Sequence, residues 1–304
     1  MGLRITSMLT IEYARKNYGA DLSKALSLGR QCRAFSRNEF RKYLPQFQDI
    51  PEMKLEEDFR SPYAEKIFRD MYGTRLYSLD GFAHEDPDIV WDLNEPVPEK
   101  MEEQFSCLID GGTMEHVFNV PELVRNCFRM LRPGGIYISM VPTNNFNGHG
   151  LYQFSPDFFY SVFSEPNGMK IRDIFIVKFS SKNKVWKLNT SPAAAGERVQ
   201  FDVNTQTEIY VIAEKTGPTP EKIRAQQTDY EEGWYENEKS ITNTGTLTSN
   251  ANNLSADDGI DNSNVLNLTG GTNSNVITGA GTTNFSGNII NNNTVEQNII
   301  NVES

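Results

Sequence analysis

The most constraining stretch of this 304-residue chain runs from Phe105 to Pro142, FSCLIDGGTMEHVFNVPELVRNCFRMLRPGGIYISMVP. An apolar run, Cys107 to Ile109, stops at Asp110 and the pair Gly111-Gly112. Val120, Leu123, Val124, Cys127, Phe128 and Leu131 then recur at three-to-four spacing, which predicts a helix with one buried face. Leu131-Arg132-Pro133-Gly134-Gly135 predicts its end, because proline cannot continue a helix and glycine accepts the cap geometry. Ile136 to Val141 reads as a second apolar strand. Strand, helix and strand in this order make a βαβ unit, whose strands are parallel and buried on both faces. Ligands of such sheets bind beyond the carboxyl ends of the strands. Those ends carry Asp110 to His116 and Pro142 to Asn145, so the chemistry is expected there.

The chain alternates in the same manner before and after this unit. Leu22 to Leu28 lead into Gly29, a helical stretch covers Ala34 to Leu44, and Arg75 to Leu79 form a short strand ending at Asp80. Residues 45–72 read as a polar, partly helical insertion in which Tyr63, Ile67, Phe68 and Met71 share a face. Ile89-Val90 is a further strand entering Trp91-Asp92. Ser155-Pro156-Asp157 opens a helix running through Phe163. Met169 to Phe179 and Glu208 to Glu214 are two long strands, with Val185 to Val203 between them as an excursion.

Composition changes near residue 236. From Ser240 to Ser304 there is no Lys, Arg, Trp, Tyr, Cys or Pro, and Phe285 is the only aromatic. An Asn/Thr/Ser/Gly-rich segment of this kind buries little apolar surface, which predicts disorder. Loosely spaced Ile241, Leu247, Leu254, Ile260 and Leu266 offer the competing reading, a short β-repeat. The division expected is a domain over 1–235 and an appended tail over 236–304.

The net charge of −11 argues against nucleic acid as the main partner, since phosphate binding needs a basic face. Arg30, Arg33, Arg37, Arg41 and Lys42 form a local basic cluster, expected to be a solvated helix face. Cys32, Cys107 and Cys127 make no CxxC pair and read as reduced thiols. No stretch is long and apolar enough to span a bilayer, and the N-terminus lacks a signal-peptide core. No membrane partner and a cytoplasmic location are expected.

Glu115-His116-Val117 after an acidic turn, followed by Leu131-Arg132-Pro133-Gly134-Gly135, resembles the second half of class I S-adenosylmethionine-dependent methyltransferases. The resemblance covers roughly residues 20 to 216. It implies a doubly wound α/β domain with a mostly parallel, seven-stranded sheet whose last strands form an antiparallel edge. The implied cofactor is S-adenosylmethionine, held by Gly29 in the first turn, Asp80 at the ribose hydroxyls, Asp92 near adenine, and Asp110 and Gly111 after the fourth strand. A carboxylate suits the ribose because it accepts two hydroxyl hydrogen bonds. Asp80-Gly81 also reads as a plain turn, and Asp92 as a cap.

His116 and His149 are the candidate bases for a hydroxyl acceptor, since an imidazole titrates near neutrality. The expected acceptor is a small molecule or sugar hydroxyl, and no metal is expected. The first turn, Leu28-Gly29-Arg30-Gln31, keeps one glycine where relatives carry a Gly-x-Gly run. It motivates the alternative of a non-catalytic binding or assembly module. A third reading takes Asp86-Pro87-Asp88 as a metal-holding D-x-D of a sugar transferase.

Overall fold

The computed structural model describes residues 2–47, 59, 61–178, 184–189, 191–192 and 203–228, together with strand segments between 240 and 303. It divides into two compact units, Met1–Gln227 and Thr228–Ser304. In chain order the first unit contains β1 (Gly2–Leu3), α1 (Ile5–Tyr18), β2 (Ala25–Leu28), β3 (Cys32–Arg33), α2 (Arg37–Tyr43) and α3 (Glu65–Tyr72). It continues with β4 (Leu76–Asp80), β5 (Ile89–Val90), β6 (Phe105–Asp110), α4 (Val120–Met130) and β7 (Leu131–Asn144). The last elements are α5 (Pro156–Val162), β8 (Met169–Lys178), β9 (Lys184–Leu188) and β10 (Thr207–Lys215).

One sheet organises this unit, in the order β5-β4-β2-β6-β7-β10-β8-β9. The pairs from β5 to β7 are parallel, and β10 runs antiparallel to both β7 and β8. The parallel core and antiparallel edge match the expectation, but the strand count does not. The eighth strand, β9, lies in the stretch read as an excursion and pairs antiparallel with β8. Its alternation was hidden by Lys184 and Lys187 among apolar residues, a composition that suits an exposed edge. Lys187 is held by Asp173 of β8 at 2.5 Å, and the buried Asp173 also accepts a hydrogen bond from Tyr13 of α1.

Side chains alternate across the sheet with period two and are buried on both sides. Leu26, Leu28, Leu108, Tyr137, Val141, Ile209 and Val211 pack with Leu123, Cys127 and Phe128 of α4 and Phe159 of α5. Ala25, Cys107, Ile109, Ile136, Ile138, Tyr210 and Ile212 pack with Met8 and Ile11 of α1 and Ile67, Phe68 and Met71 of α3. Three layers result, as the βαβ pattern requires.

Local signals explain the element ends. Ser36 accepts from Glu39 N while Glu39 reaches back to Ser36 N, a reciprocal cap that starts α2. Ser155 caps α5 through Phe158 N at 3.3 Å, and Asn119 caps α4 through Glu122 N. After α4 the chain passes directly into β7 at Leu131, five residues before the predicted start. Gly134, at φ +74°, lets Arg132 to Gly135 continue the strand with a register shift against β6. Helix α1 had no sequence expectation attached to it, and the part of the 45–72 insertion over 48–58 and at residue 60 lies outside the described residues.

In the second unit the described strands are β11 (Ser240–Asn243), β12 (Thr246–Ser249), β13 (Gly259–Asn262), β14 (Val265–Asn273), β15 (Ile277–Thr278), β16 (Thr282–Asn291) and β17 (Ile299–Glu303). They form two parallel sheets, β11-β13-β15 and β12-β14-β16-β17. Ile241 pairs with Ile260, and Leu247 with Leu266, residues in the spacing noted from sequence.

Candidate functional site

The carboxyl ends of β2, β4, β5, β6 and β7 bring most of the sequence candidates to one edge of the sheet. Gly29 ends β2 with φ +69°, and its N–H donates to Leu79 O at 2.6 Å. A Cβ there would meet Thr113 Oγ1 at 2.8 Å and approach Asp80 Oδ2 at 3.8 Å, so the turn needs glycine. Thr113 donates its hydroxyl to Leu28 O at 2.6 Å, which ties the loop after β6 to the first turn. Asp80 is half-buried beside that turn. Its Oδ1 accepts from Phe82 N at 3.0 Å and its Oδ2 from Arg30 N at 3.3 Å. Each oxygen therefore keeps a lone pair for a ligand.

Arg30 and Gln31 occupy positions where a second glycine was expected. The Arg30 guanidinium bonds Glu65 at 2.8 Å, lies 4.0 Å from the Tyr63 ring centroid and donates to the carbonyls of Glu85 and Asp86. It thus ties the first turn to α3 and to the loop after β4. Gln31 is buried and donates to Leu28 O at 2.6 Å. Gly111 makes room for it, because a Cβ at 111 would stand 2.5 Å from Gln31 Oε1. The absent side chain at Gly111 therefore serves packing within the turn.

Asp110 lies deeper than the other candidate side chains. It is fully buried, with Thr113 N donating to Oδ1 at 2.7 Å and Tyr137 Oη donating to Oδ2 at 3.2 Å. Burial pushes its pKa up to about 6, against the lowering effect of these donors. The carboxylate holds the loop from beneath, through Thr113 N. Asp92 is exposed at the end of β5, where Oδ1 accepts from Asn94 N and Asn94 Nδ2 at 2.9 and 2.7 Å. The cap reading describes that oxygen.

His116 and His149 come together as ring neighbours, 5.0 Å between centroids and nearly perpendicular. Between them lies Glu115, which the sequence reading used only as part of a motif. Its side chain is 1% exposed, and Oε1 stands 3.7 Å from His116 Nε2 and 3.4 Å from His149 Nε2. Burial, and then the nearby Asp110, push the Glu115 pKa up to about 8, while burial and His149 lower that of His116. The loop after β7 is fastened to Glu115 by Leu151 N and Tyr152 N, both donating to Glu115 O. Gly150 at φ +72° lets it approach, since a Cβ there would meet Glu115 O at 2.8 Å. An acid beside a histidine was visible in the sequence, but the return of His149 depends on this loop closure.

Phe118 and Leu151, two residues along the chain from His116 and His149, are exposed, as are Phe82 and Val90, which neighbour Asp80. Asp88 is engaged by Ser78 N at 3.0 Å and by Arg75, which leaves the D-x-D reading without a free carboxylate pair. His84 is exposed on the 3-10 turn Ala83–Glu85. No helix of the described residues is long and apolar enough to cross a membrane.

Glu208 of β10 lies behind the cluster. Burial raises its pKa to about 7, although Arg4 stands 3.6 Å away and opposes the shift. Unfolded carboxyls titrate near 4, so the folded state holds these protons more tightly than the unfolded chain. Stability is then full below the unfolded value and is lost as pH rises through about 6 for Asp110 and about 7 for Glu208. Thermal unfolding is expected at higher temperature at pH 5 than at pH 8.5. Glu208→Gln removes one contributor and narrows that difference by about 2–3 kcal/mol, read from denaturant titrations at both pH values.

No family model matches the sequence, and no curated protein matches it either. Among solved structures many similar chains are S-adenosylmethionine-dependent methyltransferases. One, from Archaeoglobus fulgidus, is 12% identical, with 68% of this chain and 93% of that chain covered and a TM-score of 0.35. Another is the 1,6-didemethyltoxoflavin-N1-methyltransferase of Burkholderia thailandensis, with bound 1,6-didemethyltoxoflavin and S-adenosylhomocysteine. It is 13% identical over 68% of this chain and 76% of that one, with a TM-score of 0.34. Likeness at this level assigns no activity to this chain.

Proposed function

We infer that the first unit is an S-adenosylmethionine-dependent methyltransferase acting on a hydroxyl of a small molecule or sugar. The observation that carries this reading is the convergence of Gly29, Asp80 and the Glu115-His116-His149 cluster at one carboxyl edge of a parallel sheet. Gly29 and Asp80 stand where the cofactor would be held: Gly29 lets the first turn close beside Asp80, whose carboxylate retains acceptor capacity. Asp92 supplies a second polar contact at the end of β5. Asp110 and Gly111 act on the loop itself, one by holding its N–H groups and one by admitting Gln31. Bound S-adenosylmethionine supplies an activated methyl group.

The chain's own residues then align the acceptor and remove its proton. An imidazole, His116 or His149, takes the hydroxyl proton as the oxygen is methylated. Exposed Phe118 and Leu151 shield the acceptor from water and favour one with an apolar face. The described strands between 240 and 303 are read as a short β-repeat appended without a catalytic part, and the location as cytoplasmic. Incubation of the full chain with methyl-labelled S-adenosylmethionine and a panel of hydroxylated small molecules and sugars tests the reaction. Label appearing on an acceptor oxygen supports it. Label on nitrogen or carbon alone would remove the hydroxyl assignment.

The alternative is a methyltransferase-like module that binds without catalysis. It is favoured by one observation, the Arg30 side chain bridging Glu65 and the 85–86 carbonyls across the first turn.

A further inference from the structure

Three residues from two separate loops, Glu115, His116 and His149, place one potential ligand atom each within 4.8 Å of one another. Glu115 is 1% exposed, its Oε1 faces both imidazoles, and its Oε2 accepts no hydrogen bond. A buried carboxylate with an uncommitted oxygen costs free energy unless something compensates it. A tetrahedral ion bound at about 2.1 Å from each ligand sets neighbouring ligand atoms roughly 3.4 Å apart. The two Glu115–imidazole separations, 3.4 and 3.7 Å, are close to that spacing, and rotation of the half-exposed rings would bring the imidazole nitrogens, now within 4.8 Å of one another, to it.

We propose that Glu115, His116 and His149 bind a divalent transition-metal ion of the zinc type, with at least one coordination position open. Two imidazoles and one carboxylate, without a thiolate, suit borderline ions such as Zn²⁺, Co²⁺ or Ni²⁺ over Mg²⁺, which prefers an all-oxygen octahedron. Three protein ligands are the number found where a fourth position is left to water or substrate. Gly150 builds the site: its positive φ brings the His149 loop against the Glu115 backbone. The assignment departs from the metal-free expectation and does not depend on methyl transfer. If the transfer reading also holds, an acceptor oxygen would bind at the open position, and the ion would lower that hydroxyl's pKa in place of an imidazole base.

The test uses untagged, chelator-treated full-length protein with no nucleotide or cofactor present. Zn²⁺ is titrated against a chromogenic chelator, and Co²⁺ is followed by its visible absorption. One equivalent of Zn²⁺ is expected to bind, and Co²⁺ to give a d–d band that Zn²⁺ abolishes. His149→Ala and His116→Ala, both at partly exposed positions, should each weaken binding about 100-fold. His84→Ala should leave it unchanged, and millimolar Mg²⁺ should not compete. Absence of stoichiometric binding to the folded protein would overturn the proposal, as would binding that both histidine variants retain. Equal competition by Mg²⁺ would overturn the ion class.

Discussion

Asp80→Ala is expected to weaken S-adenosylmethionine binding about 100-fold while leaving the fold intact. The side chain sits at the carboxyl end of β4, half-buried, with one backbone N–H on each oxygen. Two hydroxyl donors of a ribose bonding to the Asp80 carboxylate contribute about 3 kcal/mol together, which converts to that factor. The bonds lost within the protein are those from Phe82 N and Arg30 N, both near solvent, where water replaces the acceptor. Isothermal titration of wild type and variant, beside their melting curves, separates affinity from stability. An unchanged affinity in a folded variant would remove Asp80 from the binding site.

Asp110→Ala is expected to act in the opposite manner, with a large effect on stability. Its carboxylate is fully buried and accepts from Thr113 N and Tyr137 Oη. Truncation leaves a half-buried N–H and a buried phenol without acceptors and opens a cavity beneath the loop. The expected cost is about 3–4 kcal/mol, or roughly 10 °C in Tm for a unit of this size. Asp110→Asn keeps an acceptor and should lose about half as much. A Tm within a degree or two of wild type for Asp110→Ala would show that the loop does not hang on this group.

The contrast between these two aspartates marks what the sequence could convey. Both stand at strand ends and both precede glycine, so residue pattern gives them equal standing as ligands. What separates them is depth: Tyr137 comes from β7 and reaches Asp110 across the face of β6. The buried strands were legible because Cys107-Leu108-Ile109 and Ile136 to Val141 are continuous apolar runs, and α4 because its apolar spacing and the stop signal Leu131 to Gly135 agree. Strand β9 was not legible, since an edge strand needs no continuous apolar run and Lys184 and Lys187 interrupt it. Gln31 was passed over because a polar residue filling the place of a glycine is recognisable only once Gly111 is seen against it. Glu115 stood in plain view next to His116, yet its meaning depends on His149, brought back over 33 intervening positions by β7 and the turn at Gly150.

The pH dependence, the cofactor affinity and the metal content report on different parts of the same sheet edge. Loss of Tm between pH 5 and pH 8.5 follows from the buried acids alone. Metal binding concerns the loops after β6 and β7, and ribose binding the ends of β2 and β4.

Calorimetric titration of the full chain with S-adenosylmethionine, and separately with S-adenosylhomocysteine, tests the central claim most directly. Saturable binding of both with one site per chain is the predicted result. No heat of binding for either ligand, in protein shown to be folded by its melting transition, would contradict it and leave the non-catalytic module as the reading of this fold.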